Sequence, residues 1–315
     1  MTRLHRHRMQ GFSLVELMIS VTIGLVIVLA LTQFFLTALN SQTSQSEASL
    51  VNENARFATD LLSREIRKAG FSNTWQSNVT PGGNFCAATN NPSFVGLNDP
   101  TTIDPSSATG AGTTVNIYSP YTSGSLHSSN DVLRVYYYGE NTTSTAPIYD
   151  CQGNPVATGL LVQDTLFIMA DPNNNSEPTL YCYSSNPPAV TAQTAAGSPG
   201  MPMVPGIESL QLLYGEDTDQ DGIVNRFVPA HLITSSDNVS SIKISMVVRG
   251  NAGGTTKGTG VPTGPLYHFS ASYPASTNTD PSAVFPAAGV NVPADNRLRK
   301  LYSSDITFRN FRWCG

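Results

Sequence analysis

The residues with the clearest chemical potential lie near the N-terminus. Gly11 and Phe12 open a mainly apolar run that continues to Leu36, and Glu16 is the one charged residue within it. An acid at the centre of a membrane helix costs about 2.5 to 3.5 kcal/mol. We therefore expect Glu16 to have a specific role. The alternative is a plain anchor in which Glu16 lies near the lipid headgroups and loses little hydration.

A second candidate site is an acidic loop in the C-terminal half. Three alternating carboxylates precede a glycine, at Asp217, Asp219, Asp221 and Gly222. This is the beginning of a calcium-binding loop, and the Ile223 carbonyl and Asn225 side chain would complete the oxygen shell. Val228 stands where an EF-hand has its bidentate glutamate, so we expect a Kd of about 10⁻⁴ to 10⁻³ M. The alternative is a solvated acidic turn.

Four cysteines are spread widely along the chain, at Cys86, Cys151, Cys182 and Cys314. Their even number and the lack of a CxxC pair favour two disulfides, which form in an oxidising compartment. Cys151 and Cys182 bracket one predicted strand and turn, so we expect these two to pair, which leaves Cys86 with Cys314. The alternative is four buried free thiols.

The sequence contains no familiar catalytic signature. HExxH, GxSxG, P-loop and dinucleotide-binding motifs are absent, and no nucleophile or metal ligand is evident beside His127, His231 or His268. The net charge is -5, and the cations near the C-terminus are scattered. We therefore expect a protein that is not an enzyme, has no required cofactor and does not bind nucleic acid.

The apolar run begins a long helix. Its 25 or so residues suffice to cross a bilayer, and Arg3, Arg6 and Arg8 before it should stay on the cytoplasmic side. No small-residue cleavage site follows Leu36, as a secretory signal would require. The pattern predicts one helix over 12–69, about 87 Å long, with an apolar stripe for packing on a head, at Ala58, Leu61, Leu62, Ile66 and Ala69.

Short apolar and β-branched segments follow the helix. They predict strands at 131–139, 160–170, 179–183, 207–214, 241–249 and 305–313, with a further short strand at 115–118. Residues 75–125 and 189–202 are rich in turn-forming residues and are predicted as loops. We expect one or two antiparallel sheets packed against the rear half of the helix.

The string GFSLVELMISVTIGLVIVLAL at 11–31 resembles the signal of type IV prepilins and type II secretion pseudopilins. The resemblance implies that a membrane aspartyl peptidase cleaves after Gly11 and methylates Phe12. It also implies that Glu16 pairs with the freed N-terminal amine of a neighbouring subunit during assembly. A pair formed in apolar surroundings recovers part of the desolvation cost of each ion.

Further strings resemble the PilW-type minor pilins: ENARFA at 53–58, LLSREIRKAGF at 61–71, DCQGN at 150–154, LYC at 180–182, GIESLQLLYG at 206–215 and DITFRN at 305–310. The resemblance implies an α+β pilin lollipop, a long N-terminal helix packed on an antiparallel β-sheet head with long loops. It divides the chain into a leader (1–11), a membrane or fibre-core helix (12–36), its amphipathic continuation (37–70) and a head (71–315).

By the same resemblance, the chain is an inner-membrane subunit with a periplasmic head, and it assembles into a pilus within a priming or tip complex. The implied partners are other minor pilins, the major pilin, the prepilin peptidase, the inner-membrane assembly platform and a large tip adhesin. Two alternatives remain open. One is a type II secretion pseudopilin, and the other is an anchored adhesin or binding domain that never polymerises.

Overall fold

The computed structural model describes residues 13–71, 94–97, 102–103, 115–116, 130–140, 147–186, 200–235, 238–250, 264–270, 284–285, 295 and 297–309. The chain divides into two units, Met1–Ser46 and Glu47–Gly315. The predicted boundaries at 11, 36 and 70 are not tested by this division and stay predictions.

Helix α1 runs from Leu14 to Lys68, which confirms the predicted helix. Acidic Glu16 lies in its first turn and basic Arg67 and Lys68 in its last, the charge order that the helix dipole favours. Gly70 has a φ of 70°, the left-handed conformation that ends helices at little steric cost. Within the N-terminal unit, α1 is long and apolar enough to cross a membrane.

The second unit contains two main antiparallel sheets. The five-stranded sheet has the order β1-β4-β5-β6-β7, with strands Phe94–Leu97, Val132–Tyr138, Leu161–Asp171, Glu177–Ser184 and Met201–Pro205. The four-stranded sheet has the order β13-β10-β8-β9, with strands Arg299–Thr307, Val239–Arg249, Ile207–Glu216 and Arg226–Val228.

Smaller elements complete the described part of the head. Two-residue strands form two short ladders, β2 (Thr102–Ile103) with β3 (Val115–Asn116), and β11 (Leu266–Tyr267) with β12 (Val284–Phe285). A 3-10 helix spans Ala230–Leu232.

One apolar core joins the rear of α1 to both main sheets. Its helical members include the predicted stripe residues, and its strand members include Leu166, Leu180, Leu212 and Ile244. Asp131, just before β4, ties the two sheets together, because its N–H donates to the Leu210 carbonyl and its carboxylate accepts from the Leu212 N–H. Burying an apolar stripe against two sheets gives the expected α+β fold.

Three sequence predictions need correction. Among the described residues the last strand is β13, Arg299–Thr307, which begins six residues before the predicted 305–313 because its pairing with β10 runs from Arg249↔Arg299 to Ser241↔Thr307. Residues 310–313 of the predicted strand lie outside the described residues. The end of the predicted 189–202 loop enters β7, where two prolines are tolerated at the edge of a sheet. The predicted 75–125 loop region also contains β1 and β2, while β3 lies within the short strand predicted at 115–118.

Candidate assembly helix and head sites

Glu16 lies in the first turn of α1, and its backbone carbonyl accepts a hydrogen bond of 2.7 Å from the Ser20 hydroxyl. Leu17 donates its backbone N–H to the Ser13 carbonyl, so the helix is formed at this point. The carboxylate is therefore carried by a regular helix with apolar neighbours. Gly11 and Phe12, the predicted cleavage and methylation residues, lie outside the described residues.

The N-terminal unit exposes nearly every large apolar side chain that it carries. Exposure runs from 42% at Leu39 to 75% at Leu14 and Phe34. A continuous apolar surface of this kind marks a membrane-spanning segment or a surface for other proteins. Glu16 is thus an acid that will be surrounded by lipid or by apolar protein, where an unpaired charge is expensive.

The acidic loop brings its three aspartates together. Asp217, Asp219 and Asp221 each offer an oxygen, and these oxygens lie within 4.8 Å of one another. Gly222 has a φ of 90°, which places the turn where the sequence predicted one. Asp217 is buried and the other two aspartates are exposed. The oxygen donors suit a hard cation such as Ca²⁺.

The predicted fourth side-chain ligand has a different task in the loop. Asn225 Oδ1 accepts hydrogen bonds from the backbone N–H of Thr218, at 2.6 Å, and from the Thr218 hydroxyl, at 3.0 Å. The Gly222 N–H donates to the Asp217 carboxylate at 2.8 Å, and the Ile223 N–H donates to Asp221 at 2.7 Å. These bonds hold the loop closed around the three carboxylates.

Cys151 and Cys182 form a disulfide, as the sequence predicted. It joins β6 to the segment before β5, with a Cα–Cα distance of 6.3 Å. The Cys151 N–H also donates to the Asp164 carboxylate at 3.1 Å, so this residue is held at two points. The second predicted pair, Cys86 with Cys314, lies outside the described residues.

His268 has partners that the sequence did not reveal. Its ring nitrogens lie 3.0 Å from Ser209 Oγ and 2.9 Å from Ser245 Oγ, on neighbouring strands β8 and β10. Burial lowers the pKa of His268 to about 3, against a weaker opposing hydrogen bond at Ser245. His268 is therefore an ordinary core histidine, and only its two serine partners were not predicted. A neutral, buried imidazole between two hydroxyls fastens the 264–270 segment to the sheet.

A network of buried ion pairs was also missed. Arg249 binds Glu177 through two hydrogen bonds of 2.9 and 3.0 Å and Glu208 at 3.1 Å, so it links β6 of one sheet to β8 of the other. Arg299 Nε donates to Glu208 at 2.6 Å. Burial opposes ionisation of Glu177, but the bonds from Arg249 and Arg297 outweigh it and lower the pKa of Glu177. The sequence signal that could have revealed this network is the presence of charged residues within otherwise apolar strands.

Two parts of the chain match known protein families. The family model "Type IV Pilus-assembly protein W" matches residues 165–310, and the model "Prokaryotic N-terminal methylation motif" matches residues 6–32. The chain thus carries a prepilin methylation motif near its N-terminus and, over residues 165–310, is similar to the type IV pilus-assembly protein W family. No curated protein matches it. Among solved structures, a type IV-like pilin from Thermus thermophilus is similar, with 13% identity, a TM-score of 0.36, and coverage of 85% of this chain and 97% of that one.

Most of the candidate sites described above fall within one or the other of the two matched ranges. The methylation motif includes Gly11, Phe12 and Glu16, and the PilW range begins in β5 and extends past β13. The motif and the apolar helix make the chain a membrane-anchored pilin of the kind incorporated into pili. Cys182, the acidic loop and the ion-pair network all lie in the PilW range.

Proposed function

We propose that this PilW-type protein is a minor pilin that acts in the priming or tip complex during assembly of a type IV pilus. The observation that carries the proposal is Glu16, a single acid in the first turn of a helix with an exposed apolar surface. Proteins of this family have structural roles, and the contribution of this chain is a subunit contact and not a reaction.

The chemistry of Glu16 explains how the helix would select its neighbours. Once the leader is removed after Gly11, Phe12 would carry a positively charged amine. A carboxylate in apolar surroundings gains most from a partner charge that is equally poorly hydrated, and a mismatched register leaves both ions unpaired. The pairing of Glu16 with the amine of an adjoining subunit therefore sets the axial register between helices.

The partners of this proposal are the other minor pilins and the major pilin, which meet the apolar helix, together with the prepilin peptidase and the inner-membrane assembly platform. The head remains available for contact with a large tip adhesin. Each contact is inferred from the family and from the exposed helix.

Replacement of Glu16 tests the proposal. We expect Glu16→Ala to reduce surface pili at least about tenfold, since an unpaired amine costs more than 1.4 kcal/mol at each failed contact, while the protein stays at normal abundance in the membrane. Glu53→Ala is the matched control, because Glu53 is an exposed acid on the same helix outside the apolar run. Pili are counted by electron microscopy and the protein by immunoblot of membranes.

The same experiment separates the alternatives. Normal pili with impaired protein secretion in the Glu16→Ala strain would indicate a secretion pseudopilin. Unchanged pili and unchanged secretion would indicate an anchored binding domain that does not polymerise. Copurification of other minor pilins with the wild-type protein, lost in the Glu16→Ala variant, would support the priming or tip complex directly.

A further inference from the structure

Glu65 is an acid on the buried face of α1. Its side chain is 1% exposed, and it lies between the core residues Leu62 and Ile66 along the helix. A polar residue at such a position costs free energy unless it is paired. The surroundings of Glu65 therefore decide whether it is charged.

A second buried acid lies next to Glu65 at the contact between α1 and the five-stranded sheet. Asp164, on β5, is also fully buried, and one cation, Lys68, pairs with both carboxylates. Arg64 approaches Glu65 at 3.6 Å, but its own side chain is 66% exposed to water. Two buried negative charges thus share one partly buried positive charge and one solvated one.

The two oxygens of Asp164 differ in their contacts. Oδ2 accepts from the Tyr137 hydroxyl at 2.7 Å, from the Cys151 N–H at 3.1 Å and from Lys68 at 3.3 Å. Oδ1 is buried and has no hydrogen-bond partner within the described residues. Three donors therefore converge on one oxygen of Asp164. A proton on Glu65 would supply the donor that Oδ1 lacks.

We propose that Glu65, Asp164 and Lys68 form a proton-binding site between the rear of α1 and the five-stranded sheet, so that external pH sets the stability of this contact. Glu65 takes the proton. A cleft of about 730 Å³, whose wall includes Lys68 and Tyr137, borders the site on the side of Lys68. The other charged residues that line the cleft are Asp60, Arg64, Arg67, Glu140 and Arg309.

The electrostatics agree with this geometry. Burial raises the pKa of Glu65 from 4.5 to about 7, Lys68 opposes the rise, and the negative charge of Asp164 adds to it. A group whose pKa is raised on folding stabilises the fold most at low pH. This contribution is complete below about pH 4.5 and is lost as pH rises through about 7. A head that lies outside the cytoplasm is exposed to external pH values within this range.

The test is thermal unfolding of the full-length, detergent-extracted protein between pH 4.5 and 8. We expect the wild-type Tm to fall as pH rises from about 4.5 to about 7 and to level off above that pH. Glu65→Gln mimics the protonated acid and should flatten this dependence and unfold at higher temperature than wild type at pH 8. Lys68→Met keeps the apolar stem but removes the charge, so it should extend the fall in Tm to higher pH. Glu53→Gln, an exposed acid on the same helix, should keep the wild-type curve.

A second measurement covers the case in which Glu65→Gln does not fold. Carbon-13 NMR of the side-chain carboxyl groups in the wild-type protein should show one glutamate that titrates near pH 7. The proposal is overturned if Glu65→Gln keeps the wild-type pH dependence, or if no glutamate titrates above about pH 5.5. Neither result depends on pilus assembly, so failure here leaves the proposed function untouched.

Discussion

Buried charges carry much of the specificity of the head. Glu208 and Arg299 have side-chain exposures of 1% and 0%, and they lie on strands β8 and β13 of the same sheet, separated by β10. Each ion loses its hydration on folding, so each depends on the other. The pair therefore penalises any arrangement of the strands that separates the two residues.

Removing one member of this pair should be costly. We expect Glu208→Gln to lower the free energy of unfolding by about 3 kcal/mol, because it leaves Arg299 buried with only the partly exposed Asp295 as a charged partner. Asp305→Asn is the control. Its pair with Lys243 is exposed and long, at 3.6 Å, so the loss should be under about 1 kcal/mol. Urea unfolding of both variants measures the difference, and equal losses would contradict the assignment.

At the scale of single residues, the sequence revealed only sites with local spacing. Asp217, Asp219 and Asp221 are two residues apart, and Cys151 and Cys182 flank one predicted strand. Glu65 and Asp164, by contrast, are far apart in sequence and meet only through the packing of α1 on β5. A glutamate among helix-forming residues has the same pattern whether it faces water or another carboxylate. Long-range partners of this kind could not be predicted.

At the scale of elements, periodicity predicted most of what was observed. Helix α1 and the central strands β4, β5, β6, β8 and β10 were all predicted, because each is a long run of apolar or β-branched residues. The edge strands β1, β7 and β9 were missed. Edge strands are short, and β7 contains two prolines, so their composition is closer to that of loops than to that of a core strand.

The acidic loop between β8 and β9 gives a prediction at this scale. Ca²⁺ at ten times its Kd should stabilise the protein by about 1.4 kcal/mol and raise its Tm, since the ion binds only the closed loop. The double variant Asp219→Asn, Asp221→Asn should lose this increase, and Asp305→Asn, in the same head, should keep it. Calorimetry with and without Ca²⁺ decides the matter. A Tm that does not change in millimolar Ca²⁺ would indicate that the loop is a solvated acidic turn.

At the scale of the whole molecule, two surfaces of opposite character belong to one chain. The N-terminal unit exposes large apolar side chains, while the described part of the head keeps most of its large apolar side chains in a common core. The first surface needs lipid or apolar protein around it, and the second tolerates water. One polypeptide with both surfaces can be stored in a membrane and later used in a fibre.

The maturation of the whole chain can be checked directly. We expect the mature protein to begin at methylated Phe12, because the motif that matches residues 6–32 includes the predicted cleavage point after Gly11. Gly11→Val should block cleavage, since a branched side chain hinders the close backbone approach that glycine allows. Intact-mass spectrometry of this variant should then find residues 1–11 still attached. A wild-type protein that begins at Met1, or beyond Leu36, would contradict this route.

The prolines of β7 limit aggregation of such heads through the edge of the five-stranded sheet. Pro202 and Pro205 have no N–H, so two of the five residues in this outermost strand cannot donate a backbone hydrogen bond to a further strand. A neighbouring polypeptide would therefore find an incomplete template for cross-β growth along that border. Many such domains can be held at high local density, where a fully hydrogen-bonding border would invite aggregation.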